Sequence, residues 1–262
     1  MNQILSRKGV FMFKSERCNK IMDLLKVKKL LSLDYLCTEL FCSKATLRRD
    51  LIELEEMGLI HRKRGGVSLV VSGNNEYSYT FRDMENRAAK LYICQLAADY
   101  LSDGMCIFMD SSSTVLNICP YLKEKKHITV VTNGIATAFN LIENQCAETY
   151  ISGGYIKNAS TSIVGEHAAN FFDKYKADLA ILSCRGIDKY GLYEANQQQA
   201  FVKQHMMANA KKTIVLCDSS KWGQSFFYKL TSFQNISAII TEAKPHEDIL
   251  AGILINDCEV IY

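Results

Sequence analysis

The sequence predicts an α/β protein in two parts, an N-terminal winged helix-turn-helix domain followed by a C-terminal α/β domain with a largely parallel sheet. Three observations lead there. A basic segment reads as three short amphipathic helices and a hairpin, a polar, turn-rich stretch follows at residues 72–78, and beyond it continuous apolar runs alternate with helical patterns. The charge divides at the same place: before Ser72 there are 14 Lys and Arg against 8 Asp and Glu, and from Ser72 onward 17 against 20. A basic small part joined to a mildly acidic large one directs a polyanion to the first. The boundaries that follow are 1–15 for an N-terminal extension, 16–71 for the winged helix-turn-helix domain, 72–85 for a linker and 86–262 for the α/β domain.

Ile21, Leu24 and Leu25 share one face of a first helix, and Leu33, Leu36 and Leu40 repeat that spacing in a second. Phe41 and Cys42 then turn the chain, with Ser43 placed to cap a third helix that buries Leu47, Leu51 and Leu54 and ends by Gly58. Residues 59–63 and 67–70 read as two strands joined by a basic turn containing Gly65 and Gly66. Lys44, Thr46, Arg48 and Arg49 occupy the N-terminal half of the third helix, while its leucines face inward. A recognition helix needs that division, because its first turns enter the major groove, where Arg and Lys pair with guanine edges. The candidate contacts to double-stranded DNA are therefore Ser43, Lys44, Thr46, Arg48 and Arg49, with Arg62, Lys63 and Arg64 of the wing reaching adjacent backbone or minor groove.

In the second part the candidate strands are residues 105–110, 128–133, 148–152, 179–183, 213–218 and 238–241. Continuous apolar runs imply strands covered on both faces, and ligands of such sheets bind at the carboxyl ends of the strands. Asp110, Ser111, Ser112, Ser113 and Thr114 follow the first of these strands and open a helix, so hydroxyls and free helix-start N–H groups offer an anion site. Thr132, Asn133, Gly153, Gly154, Arg185, Gly186 and Asp188 also follow strands, as do Asp218 and Lys221, the latter a positive charge for a phosphate. Glu194 on a loop and Lys203 on the helix after it complete the candidates.

The ten cysteines contain no Cys-x-x-Cys pair and no ligand spacing with histidine, so neither a disulfide framework nor a metal site is expected. Their placement in apolar stretches fits a reducing cytoplasm. The apolar run at residues 10–13 is too short for a membrane span, and no signal-peptide pattern is present, so neither secretion nor a membrane partner is expected.

Arg17, residues 36–39 and 43–51, Leu54, Glu55, residues 58–60 and residues 64–66 closely resemble the DNA-binding domain of the DeoR family. The resemblance continues through Phe81, Arg82, Asp103, Gly104, residues 110–114, Thr132, Asn133, Gly153, Gly154, Gly165, residues 186–188, Gly191 and residues 218–221, in the order of that family's effector domain. It implies a repressor of a sugar or nucleoside catabolic operon, with a C-terminal domain resembling sugar-phosphate isomerase and CoA transferase folds. The implied partners are operator DNA and a phosphorylated sugar as effector, with no cofactor; DNA geometry adds a homodimer or higher homo-oligomer. Ser112 stands where many members have glycine, and Gln198 and Gln199 where relatives often carry glutamates. The first 11 or so residues lie outside the pattern, with Met12 an alternative start. A rival reading is a sugar-phosphate isomerase-like enzyme using Asp110 or Glu194 as base and Lys221 as electrostatic partner. The sequence offers no acid–base constellation to favour it.

Overall fold

Helix α1 (Lys14–Val27) buries Cys18, Ile21, Met22 and Leu25, one stripe of its surface, in the computed structural model, which describes residues 12–28, 30–70, 79–157 and 160–262. The chain divides into two compact units, residues 1–72 and 73–262. In the first, α2 (Leu33–Glu39) is capped by Ser32 and α3 (Lys44–Glu56) by Ser43, whose hydroxyl accepts the Thr46 N–H at 3.1 Å. Strands β2 (Ile60–Lys63) and β3 (Gly66–Leu69) form the expected hairpin, and a two-residue strand β1 (Leu30–Leu31) adds to the other edge of β3. Nothing in the sequence patterning announced β1, because two residues carry no period.

An ion pair fixes α1 against α3. Asp50, almost fully buried among the leucines of α3, accepts from Arg17 Nε at 2.8 Å and Nη2 at 3.2 Å, while Nη1 donates to the Met12 carbonyl at 2.6 Å. The planar fork satisfies both carboxylate oxygens at once, which makes the burial of charge tolerable.

In the second unit, α4 (Tyr79–Met84) and α5 (Arg87–Ala97) precede a seven-stranded sheet. Its strands are β4 (Cys106–Met109), β5 (Thr129–Thr132), β6 (Glu148–Ile151), β9 (Ala177–Leu182), β12 (Ala210–Leu216), β14 (Ala238–Ile240) and β15 (Glu259–Ile261). They lie in the order β15-β14-β12-β9-β4-β5-β6, every neighbouring pair parallel. The two faces of the sheet bury alternate residues. Ile107, Met109, Val130, Ile181 and Ile214 join one apolar cluster, whereas Phe108, Val131, Leu182 and Val215 face others on the opposite side. This is why these strands read as continuous apolar runs. Six of the seven coincide with the sequence expectation; β15, half-exposed at the edge, was not expected.

Short antiparallel pieces decorate the sheet: a ribbon of β7 (Tyr155–Lys157) and β8 (Ser162–Val164), and a three-stranded sheet of β10 (Gly186–Asp188), β11 (Gly191–Glu194) and β13 (Tyr228–Thr231). The covering helices are α6 (Ser113–Leu116), α7 (Cys119–Leu122), α8 (Ile135–Glu143), α9 (Glu166–Phe172), α10 (Gln197–Ala208) and α11 (Glu247–Leu254).

Two expectations need correction. Residues 79–84, assigned to the linker, are the helix α4, held by the buried Phe81 ring; a six-residue helix shows too little periodicity to be read beside a polar stretch. Residues 72–78 of that linker lie outside the described residues, as do 1–11 of the extension. Glu194, placed on a loop, is the last residue of β11. Among the described residues no helix is long and apolar enough to cross a membrane.

Candidate DNA and effector sites

The basic face of the first unit follows from the capping and packing of α3. With Leu47, Asp50, Leu51 and Leu54 turned inward, Arg48 and Arg49 are exposed. Lys44 Nζ lies 2.7 Å from Asp34 Oδ1, and Thr46 Oγ1 3.0 Å from Ser43 Oγ. In the wing, Lys63 and Arg64 are exposed, but Arg62 turns back onto the helix: its Nε donates to Glu55 Oε2 at 2.6 Å and its amide to Oε1 at 2.9 Å. Glu55 thereby ties the wing to α3.

In the second unit, side chains meet where β4, β9 and β12 end. Asp110, fully buried directly after β4, accepts the Ser112 N–H at 2.9 Å, the Ser183 N–H at 3.0 Å and Lys203 Nζ at 3.0 Å. The same ammonium bonds the Glu194 carboxylate and donates to the Ser183 carbonyl at 2.6 Å. Burial opposes ionisation of Asp110 most strongly, yet Lys203 and the two N–H donors overcome it and hold the carboxyl below the ordinary range. Burial likewise opposes the Lys203 charge, and Asp110 with Glu194 more than offsets it, so the lysine stays protonated.

Beside this triad, Lys221 Nζ donates to Ser183 Oγ at 2.8 Å and stands 3.7 Å from Asp218. Asp218 Oδ1 also accepts from Ser220 Oγ and, at 2.9 Å, from Asn86 Nδ2. A third cation, unforeseen from the sequence, is Lys90 of α5: it is buried, and its Nζ donates to the Arg82 carbonyl and, at 3.2 Å, to Ser113 Oγ. Its position was legible, since Lys90, Ile93, Cys94 and Ala97 lie on the one buried face of α5.

The hydroxyls of the loop after β4 are already engaged. Ser111 Oγ pairs with Ser162 Oγ at 2.7 Å, Ser112 Oγ caps α6 by accepting the Val115 N–H, and Ser113 Oγ donates to the Arg82 carbonyl at 3.0 Å. Thr114 is buried, and its carbonyl accepts Cys94 Sγ. The helix they open, α6, is a single turn of four residues.

At the ends of β5 and β6, Thr132 Oγ1 accepts the Gly134 N–H and Asn133 Nδ2 donates to the Ile163 carbonyl. Asn133 Oδ1 and Ser152 Oγ, both buried, have no hydrogen-bond partner among the described residues. These two polar atoms lie on neighbouring strand ends and are open to a hydrogen-bonding partner.

The remaining candidates have local surroundings of their own. Gly154 has φ of +142°, and a Cβ there would press on the Val164 carbonyl and Ala168; Gly153 next to it is open. At Gly186 a Cβ would overlap the Gln224 carbonyl, so this glycine lets the loop at residue 224 close onto β10. Arg185 stacks over the Phe226 ring at 5.2 Å. Asp188 is spent on the β10–β11 turn, accepting the Tyr190 N–H at 2.7 Å and the Ser225 hydroxyl at 2.6 Å. The arrangement therefore gathers Asp110, Ser113, Glu194, Lys203, Asp218 and Lys221, and leaves Asp188 with turn duties.

Family models follow the same division of the chain. That described as the DeoR-like helix-turn-helix domain matches residues 17–72, and that described as the DeoR C terminal sensor domain matches residues 85–243. The HTH-type transcriptional repressor GlcR of Bacillus subtilis (strain 168) is 32% identical over 236 residues, 90% of this chain and 91% of that protein. The glycerol-3-phosphate regulon repressor of Escherichia coli (strain K12) is 27% identical over 240 residues, 91% of this chain and 95% of that protein. Among solved structures, ribose 5-phosphate isomerase A of Methanocaldococcus jannaschii aligns with a TM-score of 0.40 at 16% identity, over 53% of this chain and 55% of that one. With a basic, capped recognition helix in one unit, polar strand ends in the other, and family models matching both, this chain belongs to the DeoR family of transcriptional regulators.

Proposed function

We propose that this protein is a cytoplasmic repressor of a carbohydrate or nucleoside catabolic operon. As a homodimer or higher homo-oligomer it binds operator DNA through α3 and the wing, and a phosphorylated sugar held at the carboxyl ends of the sheet strands lowers that affinity. The observation that carries the effector half is the convergence of three cations, Lys90, Lys203 and Lys221, with Ser113 and Ser183 on one set of strand ends. Cations held in polar, partly dry surroundings are how proteins recognise phosphate. Two relatives named as repressors, one of a glycerol-3-phosphate regulon, support the same reading. The enzyme reading loses ground because both of its candidate bases, Asp110 and Glu194, are bound to Lys203.

Binding to the DNA around the protein's own gene, at fixed salt and with a panel of sugar phosphates, tests both halves. The expected result is a specific complex that one phosphorylated sugar dissociates. Specific binding that no sugar phosphate alters would remove the effector half, and absence of specific binding would remove the repressor. Linkage requires operator DNA to weaken effector binding by the same factor as the effector weakens DNA binding. Arg48→Ala, a change on the exposed face of α3, is expected to weaken operator binding by about 10- to 100-fold with thermal stability unchanged. Wild-type affinity in that variant would show that the helix meets DNA with another face.

A further inference from the structure

Helix α4 is the first described element of the second unit, and in sequence it begins seven residues after Ser72, where the DNA-binding unit ends. It has six residues, too few to be stable without tertiary support. The carbonyls of its last four residues have no partners within the helix, and that of Arg82 is one of them. The structure supplies those partners from the candidate effector site, because both Lys90 Nζ and Ser113 Oγ donate to the Arg82 carbonyl oxygen. Two side chains at the strand ends thus serve as the C-terminal cap of α4. Asn86, in the left-handed region at φ 53°, binds the next residues to the same place by donating to Asp218 Oδ1 and Ser220 Oγ.

Lys90 differs from the other two cations. Lys203 has two carboxylates and Lys221 has Asp218, whereas the hydrogen-bond acceptors of Lys90 are a neutral carbonyl and a hydroxyl. Burial, followed by the charge of Lys221, pushes its pKa down to about 8, against the pull of Asp218, Glu85 and Asp83. A buried ammonium without a paired carboxylate gains more from an incoming anion than one already neutralised.

Resting on the effector site proposed above, we infer that the effector's anionic group competes with the Arg82 carbonyl for Lys90 Nζ and Ser113 Oγ, so that effector binding uncaps α4 and loosens its C-terminal turn. An anion forms charge-assisted bonds that a neutral carbonyl cannot match, so the exchange runs in its favour. The carbonyl it displaces loses its cap, so the C-terminal turn of α4 is loosened while the buried Phe81 ring still anchors the helix. Occupancy of the strand ends is thereby converted into loosening of the segment adjoining the connection to the DNA-binding unit.

The experiment measures inorganic phosphate binding to the full chain by calorimetry, together with amide hydrogen exchange of residues 79–90 with and without phosphate. Phosphate is expected to accelerate exchange in α4 by about tenfold or more, the effect of losing a charged hydrogen bond. Lys90→Met is expected to show fast α4 exchange without phosphate, no further increase with it, and phosphate affinity reduced by about tenfold or more. Should that variant fail to fold, Ser113→Ala removes one of the two donors and is expected to show the same changes in smaller degree. Phosphate binding that leaves α4 exchange unchanged or slower overturns the competition while sparing the effector site. Undiminished phosphate affinity in Lys90→Met, or in Ser113→Ala where that stands in, overturns it as well. No phosphate binding to the wild-type chain overturns both the competition and the anion site on which it rests.

Discussion

Replacing Lys203 with methionine is expected to destabilise the second unit by about 3–5 kcal/mol, the cost of removing one partner from a buried ion pair. Methionine fills nearly the same volume and leaves little cavity, so the loss is electrostatic. Asp110 is fully buried and Glu194 is 5% exposed, and with Lys203 gone two carboxylates face each other across the space it occupied. Denaturant unfolding at neutral pH measures the effect, and a loss below about 1 kcal/mol would mean that solvent reaches the triad and screens it. The pH dependence gives an independent check. In the wild-type chain the Asp110 carboxyl is held below its ordinary value of 3.8, so its contribution is present above that pH and is lost as pH falls through the lowered value. In the variant, burial without the lysine raises the carboxyl instead, so stability is lost as pH rises. The gap between the two proteins therefore narrows on acidification toward pH 3.8.

Arg17→Ala is expected to cost the first unit a similar amount, about 3–5 kcal/mol, by leaving Asp50 buried without its fork of donors. The Asp50 side chain is 3% exposed, so water cannot replace the guanidinium. Because the chain forms two compact units, the expected signature is an earlier transition for the first with the second unmoved. DNA binding should then fail through unfolding rather than lost contacts, unlike Arg48→Ala. Asp50→Asn, which keeps the shape and removes the charge, is expected to cost less. An Arg17→Ala protein that melts like the wild type would show that the α1–α3 contact does not depend on this pair.

What the sequence reveals depends on how far each feature spreads along it. Residues 106–109, 129–132 and 179–182 were legible as strands because burial on both faces makes most positions apolar. Ser43 was legible as a cap because a hydroxyl before an amphipathic run has a local purpose. The partners of the strand-end side chains were not, since Lys203 reaches Asp110 across 93 positions of chain and Arg17 reaches Asp50 across 33. Lys90 could have been found by treating a lysine on an apolar helix face as an anomaly. Its acceptor, a backbone carbonyl eight residues earlier, has no sequence signature at all. The approach of the Gln224 backbone to Gly186 had no sequence signature either, since the two positions lie 38 residues apart.

The pairing of Arg62 with Glu55 and of Lys44 with Asp34 bears on how the protein feels its ionic surroundings. Among the six basic side chains of the proposed interface, these two already hold a carboxylate, while Arg48, Arg49, Lys63 and Arg64 are exposed. A phosphate that captures Arg62 or Lys44 exchanges one anion for another and sets a carboxylate free beside the DNA, where it retains cations that would otherwise be released. If these side chains meet DNA as proposed, binding is expected to be less sensitive to salt than a count of the arginines and lysines would suggest, with more of its energy left to contacts that depend on base sequence.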